Sequence, residues 1–158
     1  SLFDHHSVIY EYANGVRLYA FCRTQTGCYN EQSSVILGTK GRCDLLRWRI
    51  EGETKWQYRR PDGPRPSPYD VEHQVLFKAI RSGDPLSEGD LMVRGSVAAV
   101  MGQLSCYTGK EVTREEGMKS SFALGPKAED CRLDMEPPVR PDEKGIYPVP
   151  IPGVTKLA

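Results

Sequence analysis

Three histidines, five cysteines and a few neighbouring carboxylates are the side chains of this sequence whose types could do chemistry. Asp4, His5 and His6 stand in a row, a juxtaposition able to supply an acid–base group or a ligand. A metal centre needs three or four convergent donors, and the spacing shows no further donors converging here. The run reads equally as the solvated lead-in to a strand. His73 follows Glu72 beside an apolar stripe, where imidazole serves either as a hydrogen-bonded boundary residue or as a site group. Cys22 and Cys28 lack a second Cys or His pair to complete a zinc site. With Cys43, Cys106 and Cys131 they are expected to be reduced, mostly buried thiols, so that folding is independent of oxidation.

Other chemistries leave no trace. There is no Gly-x-Ser-x-Gly elbow and no Walker or Gly-x-Gly-x-x-Gly phosphate cradle. Gly38-Thr39-Lys40-Gly41 reads as a hairpin turn, and Glu115-Glu116 and Glu129-Asp130 read as helix caps and solvated charge. The polar loop Thr24–Gln32, with Gly27, Tyr29 and Asn30, follows a strand end at Arg23. Guanidinium, aromatic and amide groups at the end of a rigid strand suit a polyol or carboxylate site; the alternative is an exposed connection.

The elements that must position these groups fall into three blocks. Asn14-Gly15 between two β-rich runs, 7–13 and 16–23, predicts a two-residue type I′ hairpin. Further strands are expected at 34–37, at 43–46 running on towards Ile50, and at 55–59, forming an antiparallel meander over residues 7–59. Pro61, Pro64, Pro66 and Pro68 predict an extended crossover. Helices follow within 69–120. The first is 69–82, stopped by Gly83; the second runs from Gly89 or Asp90 to Thr108, closed by Gly109. Thr113-Arg114-Glu115-Glu116 fits a capping box opening a third. Residues 121–158 hold seven of the twelve prolines, so this tail should drape over the globule without regular structure.

At 158 residues, 39% hydrophobic and 27% charged, the chain is expected to be one soluble domain of the α+β class. It should be an open, mostly antiparallel sheet with helices on one face. Lys plus Arg equals Asp plus Glu, 21 each, so no bulk attraction to nucleic acid or anionic lipid is expected. No apolar run approaches the roughly 20 residues that span a bilayer.

The string Asp4-His5-His6-Ser7-Val8-Ile9-Tyr10-Glu11-Tyr12-Ala13-Asn14-Gly15-Val16 resembles the C-terminal domain of the Gfo/Idh/MocA oxidoreductases. Phe21-Cys22-Arg23, Gly38-Thr39-Lys40-Gly41, Glu72-His73 with Leu76-Phe77 and Ala79-Ile80-Arg81, Met101-Gly102 with Tyr107-Thr108-Gly109, and the close Pro152-Gly153-Val154-Thr155-Lys156 agree in order and spacing. The likeness spans nearly the whole chain and is most like a planctomycete-type subgroup. It implies a two-domain enzyme that binds NAD or NADP through a Rossmann half and transfers hydride to or from a sugar or cyclitol. This chain would be the substrate-binding and oligomerising half. The Rossmann half, its glycine fingerprint and the segment bearing the family's acid–base residues have no counterpart in the chain, so no catalytic residue is assigned and the chain alone is expected to bind no cofactor. Arg23, Asn30 and His73 are the expected contacts to a small polyol substrate. A cytoplasmic location is expected, with an upstream export signal left open. The alternative is a stand-alone, non-enzymatic α+β module that binds a small ligand or a protein through its open sheet.

A two-residue turn pairs Tyr10 with Tyr19 and Val8 with Phe21. That places Tyr10, Tyr12, Arg17, Tyr19 and Phe21 on one face, an aromatic and arginine-rich surface suited to a homo-oligomer interface.

Overall fold

The computed structural model describes residues 3–60, 62–123 and 125–156; Pro61 of the expected crossover and the last two residues of the tail lie outside them. Among the described residues, six strands and three α-helices follow in order: β1 (His5–Glu11), β2 (Arg17–Arg23), β3 (Val35–Gly38), β4 (Gly41–Asp44), β5 (Arg49–Gly52), β6 (Trp56–Gln57), α1 (Pro68–Ser82), α2 (Gly89–Thr108) and α3 (Arg114–Lys119). The fold is α+β with open antiparallel sheets. The strands form two sheets rather than one continuous meander: the β1–β2 hairpin and a four-stranded sheet ordered β3-β4-β5-β6. The division falls in the polar stretch after Arg23, which is too long to act as a hairpin turn and leaves β3 free of β2. The chain accordingly divides into two compact units. One holds the residues up to Thr26 and from Ser87 onward; the other is Gly27–Leu86.

In the first unit the hairpin register differs by one from the expected pairing. Tyr12 N–H donates to Val16 O (2.9 Å), Gly15 N–H donates to Tyr12 O (2.8 Å), and Gly15 sits at φ 80. The loop is therefore three residues, Ala13-Asn14-Gly15, with glycine in the left-handed position, and not a two-residue type I′ turn. Asn14 Oδ1 accepts from Val16 N–H (3.2 Å), which spends the asparagine inside the loop. Val8 now faces Ala20, Ile9 faces Tyr19, Tyr10 faces Leu18 and Glu11 faces Arg17.

This shift exchanges the two faces of β2 relative to β1. His6, Val8, Tyr10, Leu18, Ala20 and Cys22 share one side; Ser7, Ile9, Glu11, Arg17, Tyr19 and Phe21 share the other. The first side packs on α2, which is why exposure alternates strictly along β1.

Helix α2 supplies what core there is. Leu104 and Tyr107 are fully buried, and Thr108 turns its hydroxyl back to Leu104 O (2.7 Å). Phe3 meets the Tyr107 ring edge-on at 4.9 Å, with His6 and Phe122 at 6.2 and 6.4 Å. Gly109 ends the helix in the left-handed conformation (φ 68), and Gly153 N–H donates to Thr108 O (2.7 Å), tying the tail to that end. Helix α3 packs on α2 and opens with the expected capping box. Thr113 Oγ1 accepts from Glu116 N–H (3.2 Å) while Glu116 Oε2 accepts from Thr113 N–H (2.8 Å). The tail has one 3₁₀ turn, Ala128–Asp130, where no regular structure was expected.

In the second unit the expected strand from Cys43 towards Ile50 is broken. Asp44 Oδ1 accepts from Arg47 N–H (3.1 Å) and Trp48 adopts φ 53, so the chain reverses over Leu45–Trp48 and makes two strands of one. Ile36, Cys43, Ile50 and Trp56 pair in register across all four strands, an apolar row on one face. The other face sets Arg42 opposite Glu51 and Asp44 opposite Arg49, cross-strand pairs of opposite charge. Pro68, expected in the crossover, is instead the first residue of α1, where its missing N–H costs nothing. Among the described residues α1 contacts no other helix or strand, so its apolar stripe is uncovered.

Candidate functional site

The three expected substrate contacts divide between the two units. Arg23 is the last residue of β2, paired with His5, in the first unit. Asn30 lies in an irregular loop and His73 on α1, both in the second unit. The His73 Nδ1–H donates to Tyr69 O at 2.6 Å, one turn back on its own helix, so that nitrogen is occupied locally. Neither of the two recesses below is lined by any of the three. Asp4 Oδ1 and His5 Nδ1 lie 2.6 Å apart on the surface. This bond to His5, with a further one from Gln25, holds the Asp4 carboxyl below its ordinary value. No described cluster of three or more His, Cys, Asp or Glu could hold a metal ion.

Of the five expected interface residues, Arg17, Tyr19 and Phe21 share the exposed face of the hairpin, whereas Tyr10 lies on the opposite face and packs on α2. The expected common face for Tyr10 and Tyr19 is thus corrected, the cause being the three-residue turn. Tyr12 flanks the three-residue loop, its N–H donating to Val16 O. Ile9 takes the place given to Tyr10, directly opposite Tyr19. Ile9, Tyr19 and Phe21 are 60%, 54% and 72% exposed, and Glu11 Oε2 accepts from Arg17 Nε at 3.1 Å at the end of the row.

The register brings together a pair that residue types alone did not reveal. His6 lies opposite Cys22, and His6 Nδ1 is 3.5 Å from Cys22 Sγ. With a two-residue turn Cys22 would have faced Ser7. The only signal for the pair was the choice between two turns that both accommodate Asn14-Gly15. A groove of about 350 Å³ opens beside it, between the hairpin and α2, lined mostly by apolar groups including Val8, Ala20, Ala99 and Val100. Its wall is held by Tyr10, whose hydroxyl donates to Ala98 O at 2.9 Å. Burial, then the neighbouring Cys106 and Tyr12, pushes the Tyr10 phenol above its ordinary value. Gly102 permits the contact, since a Cβ there would sit inside the Tyr10 hydroxyl. His6 Nε2 is buried without a hydrogen-bond partner among the described residues.

The second unit has a recess of about 330 Å³ along β5 and β6, lined by Arg49, Ile50, Glu51, Lys55, Trp56 and Gln57. All five cysteines are thiols; Cys22, Cys28 and Cys131 are exposed rather than buried as expected. No helix is long and apolar enough to cross a membrane among the described residues. No family model, curated protein or solved structure matches this chain.

Proposed function

We propose that the chain is an assembly module: the substrate-facing and oligomerising half of an NAD(P)-dependent oxidoreductase acting on a sugar or cyclitol. The oxidoreductase part of this reading rests on the motifs that resemble the Gfo/Idh/MocA C-terminal domain, and NAD or NADP would be held by a nucleotide-binding domain outside this chain. The assembly part rests on surface. Large apolar side chains stand exposed in both units, Tyr19 and Phe21 in the first and Ile36 and Trp56 in the second among them. Contiguous apolar surface of this kind marks interaction sites.

The observation that carries the reading is the uncovered hairpin face, where Ile9, Tyr19 and Phe21 stand in one row ending in the Glu11–Arg17 pair. Aromatic and arginine groups are enriched in protein interfaces. The Glu11–Arg17 pair supplies both signs of charge, so a two-fold copy of the same face can be complementary to it. The uncovered row Ile36, Cys43, Ile50 and Trp56 favours a second reading, a non-enzymatic module that docks a protein partner on its sheet.

Size-exclusion chromatography with light scattering at high micromolar concentration tests the assembly. The unmodified chain should run as an oligomer, and the double variant Tyr19→Glu, Phe21→Glu as a folded monomer. An unmodified chain that is already monomeric overturns self-association through this face. Coding sequence upstream that reads strand, Gly-x-Gly-x-x-Gly, helix separates the enzyme from the stand-alone module.

A further inference from the structure

We propose that Cys22 is a nucleophilic thiol, served by His6 as its base, that captures a small soft carbon electrophile of the α,β-unsaturated carbonyl class in the groove between the hairpin and α2. Three observations meet at this point. The thiol and the imidazole are across-strand partners with Sγ and Nδ1 at 3.5 Å, the loose contact of an unliganded nucleophile–base pair. Cys22 is exposed, so an electrophile can reach it. Both residues line a groove of about 350 Å³ whose other walls, Val8, Ala20, Ala99 and Val100 among them, are apolar; that volume lies at the small end of the range for ligand pockets.

His6 is held for the task. Its ring stands among Phe3 and Tyr107, with centroids 6.0 and 6.2 Å away, and its strand is in ladder register with β2. Its Nε2 is buried and without a described partner, so Nδ1 is the nitrogen that deals with the thiol. The step balances without any further reagent. The Cys22 S–H proton passes to His6 Nδ1 as sulfur bonds to the β-carbon of the electrophile. The C=C π pair moves through the α-carbon to the carbonyl oxygen as an enolate. The proton then returns from His6 to the α-carbon, leaving a thioether and neutral imidazole. An apolar tail on the electrophile would lie along Ala99 and Val100. None of this depends on the oxidoreductase reading or on the oligomer face.

The test is alkylation of the full chain, with peptide mass mapping of each cysteine over time. The exposed Cys28 and Cys131 serve as internal references. With 4-hydroxynonenal as the apolar probe, Cys22 should react about a hundredfold faster than either, the low end of what a positioned base contributes, and its rate should saturate with probe concentration. With iodoacetamide, which the groove does not hold, the rate should remain linear in concentration. His6→Gln should remove the advantage of Cys22 while circular dichroism stays unchanged. Ala99→Leu, which fills the groove and leaves the pair in place, should abolish saturation with hydroxynonenal and spare the iodoacetamide rate. Equal rates at Cys22, Cys28 and Cys131 overturn the proposal. So does a folded His6→Gln chain whose Cys22 reacts as fast as before, or, should that variant unfold, an Ala99→Leu chain that still saturates.

Discussion

The Tyr10 hydroxyl on β1 donates to the Ala98 carbonyl oxygen on α2 at 2.9 Å, joining the hairpin to the helix that packs on it. Removing that bond alone, in Tyr10→Phe, should lower stability by about 0.5–1.5 kcal/mol with no change in denaturant m-value. The hydroxyl must keep its proton to donate. Burial raises its ionisation in the folded state above the ordinary 10.0, so its contribution is complete below that value and is lost as pH rises through the folded-state value. A phenolate absorbance titration of wild type against Tyr10→Phe should show one tyrosine titrating late.

The α3 capping box gives a pH dependence of opposite sign. The backbone N–H and hydroxyl of Thr113 hold the Glu116 carboxyl below its ordinary 4.5. The stabilisation is therefore present above 4.5 and is lost as pH falls through the lower folded-state value. Thr113→Ala should cost about 1 kcal/mol and Glu116→Gln should flatten the acid limb. Denaturation midpoints measured from pH 3 to 7 check both.

Gly109→Ala should be worse than the same change at Gly145. Both glycines have positive φ, 68 and 77, where a side chain costs about 1–2 kcal/mol. A Cβ at Gly145 meets open space, whereas one at Gly109 lies 3.0 Å from Pro152 Cβ and 3.1 Å from Gly153 N. The difference reports docking of the tail on α2. Limited proteolysis should cut the tail faster in Gly109→Ala only.

The chain on its own should not bind nicotinamide dinucleotides. Pyrophosphate recognition uses a glycine turn that leads from a strand into a helix N-terminus, and no described strand passes into a helix that way. Titration calorimetry with NAD and NADP should show no saturable heat. A micromolar dissociation constant for either would contradict the assignment of the nucleotide to another domain.

Much of the local structure was legible. The ends of α1 and α2 fall at Gly83 and Gly109 because a left-handed residue closes a helix whatever lies around it. Thr113 and Glu116 announce α3 for the same reason, their bonds reaching only three residues. The antiparallel sense of the sheets follows from alternation and short turns, whereas the break of the expected strand from Cys43 towards Ile50 into β4 and β5 does not. The candidate site was less legible. Arg23 and Asn30 were chosen from the chemistry of a loop, and nothing local tells which unit each joins.

What only the tertiary structure decided turns on one residue of register. Asn14-Gly15 is compatible with a two-residue or a three-residue loop. The three-residue loop wins where Tyr10 packs on α2 with Leu18 and Ala20 beside it, and that packing is a contact between distant parts of the chain. Because side chains alternate along a strand, the same choice moves Tyr10 away from Tyr19, sets Ile9 beside it, and brings His6 to Cys22. The sequence alone carried the helices, their caps and the open antiparallel class, products of interactions within a few residues. The pairing of faces, the separation of the two sheets and the thiol–imidazole contact belong to non-local packing, which no short window of sequence encodes.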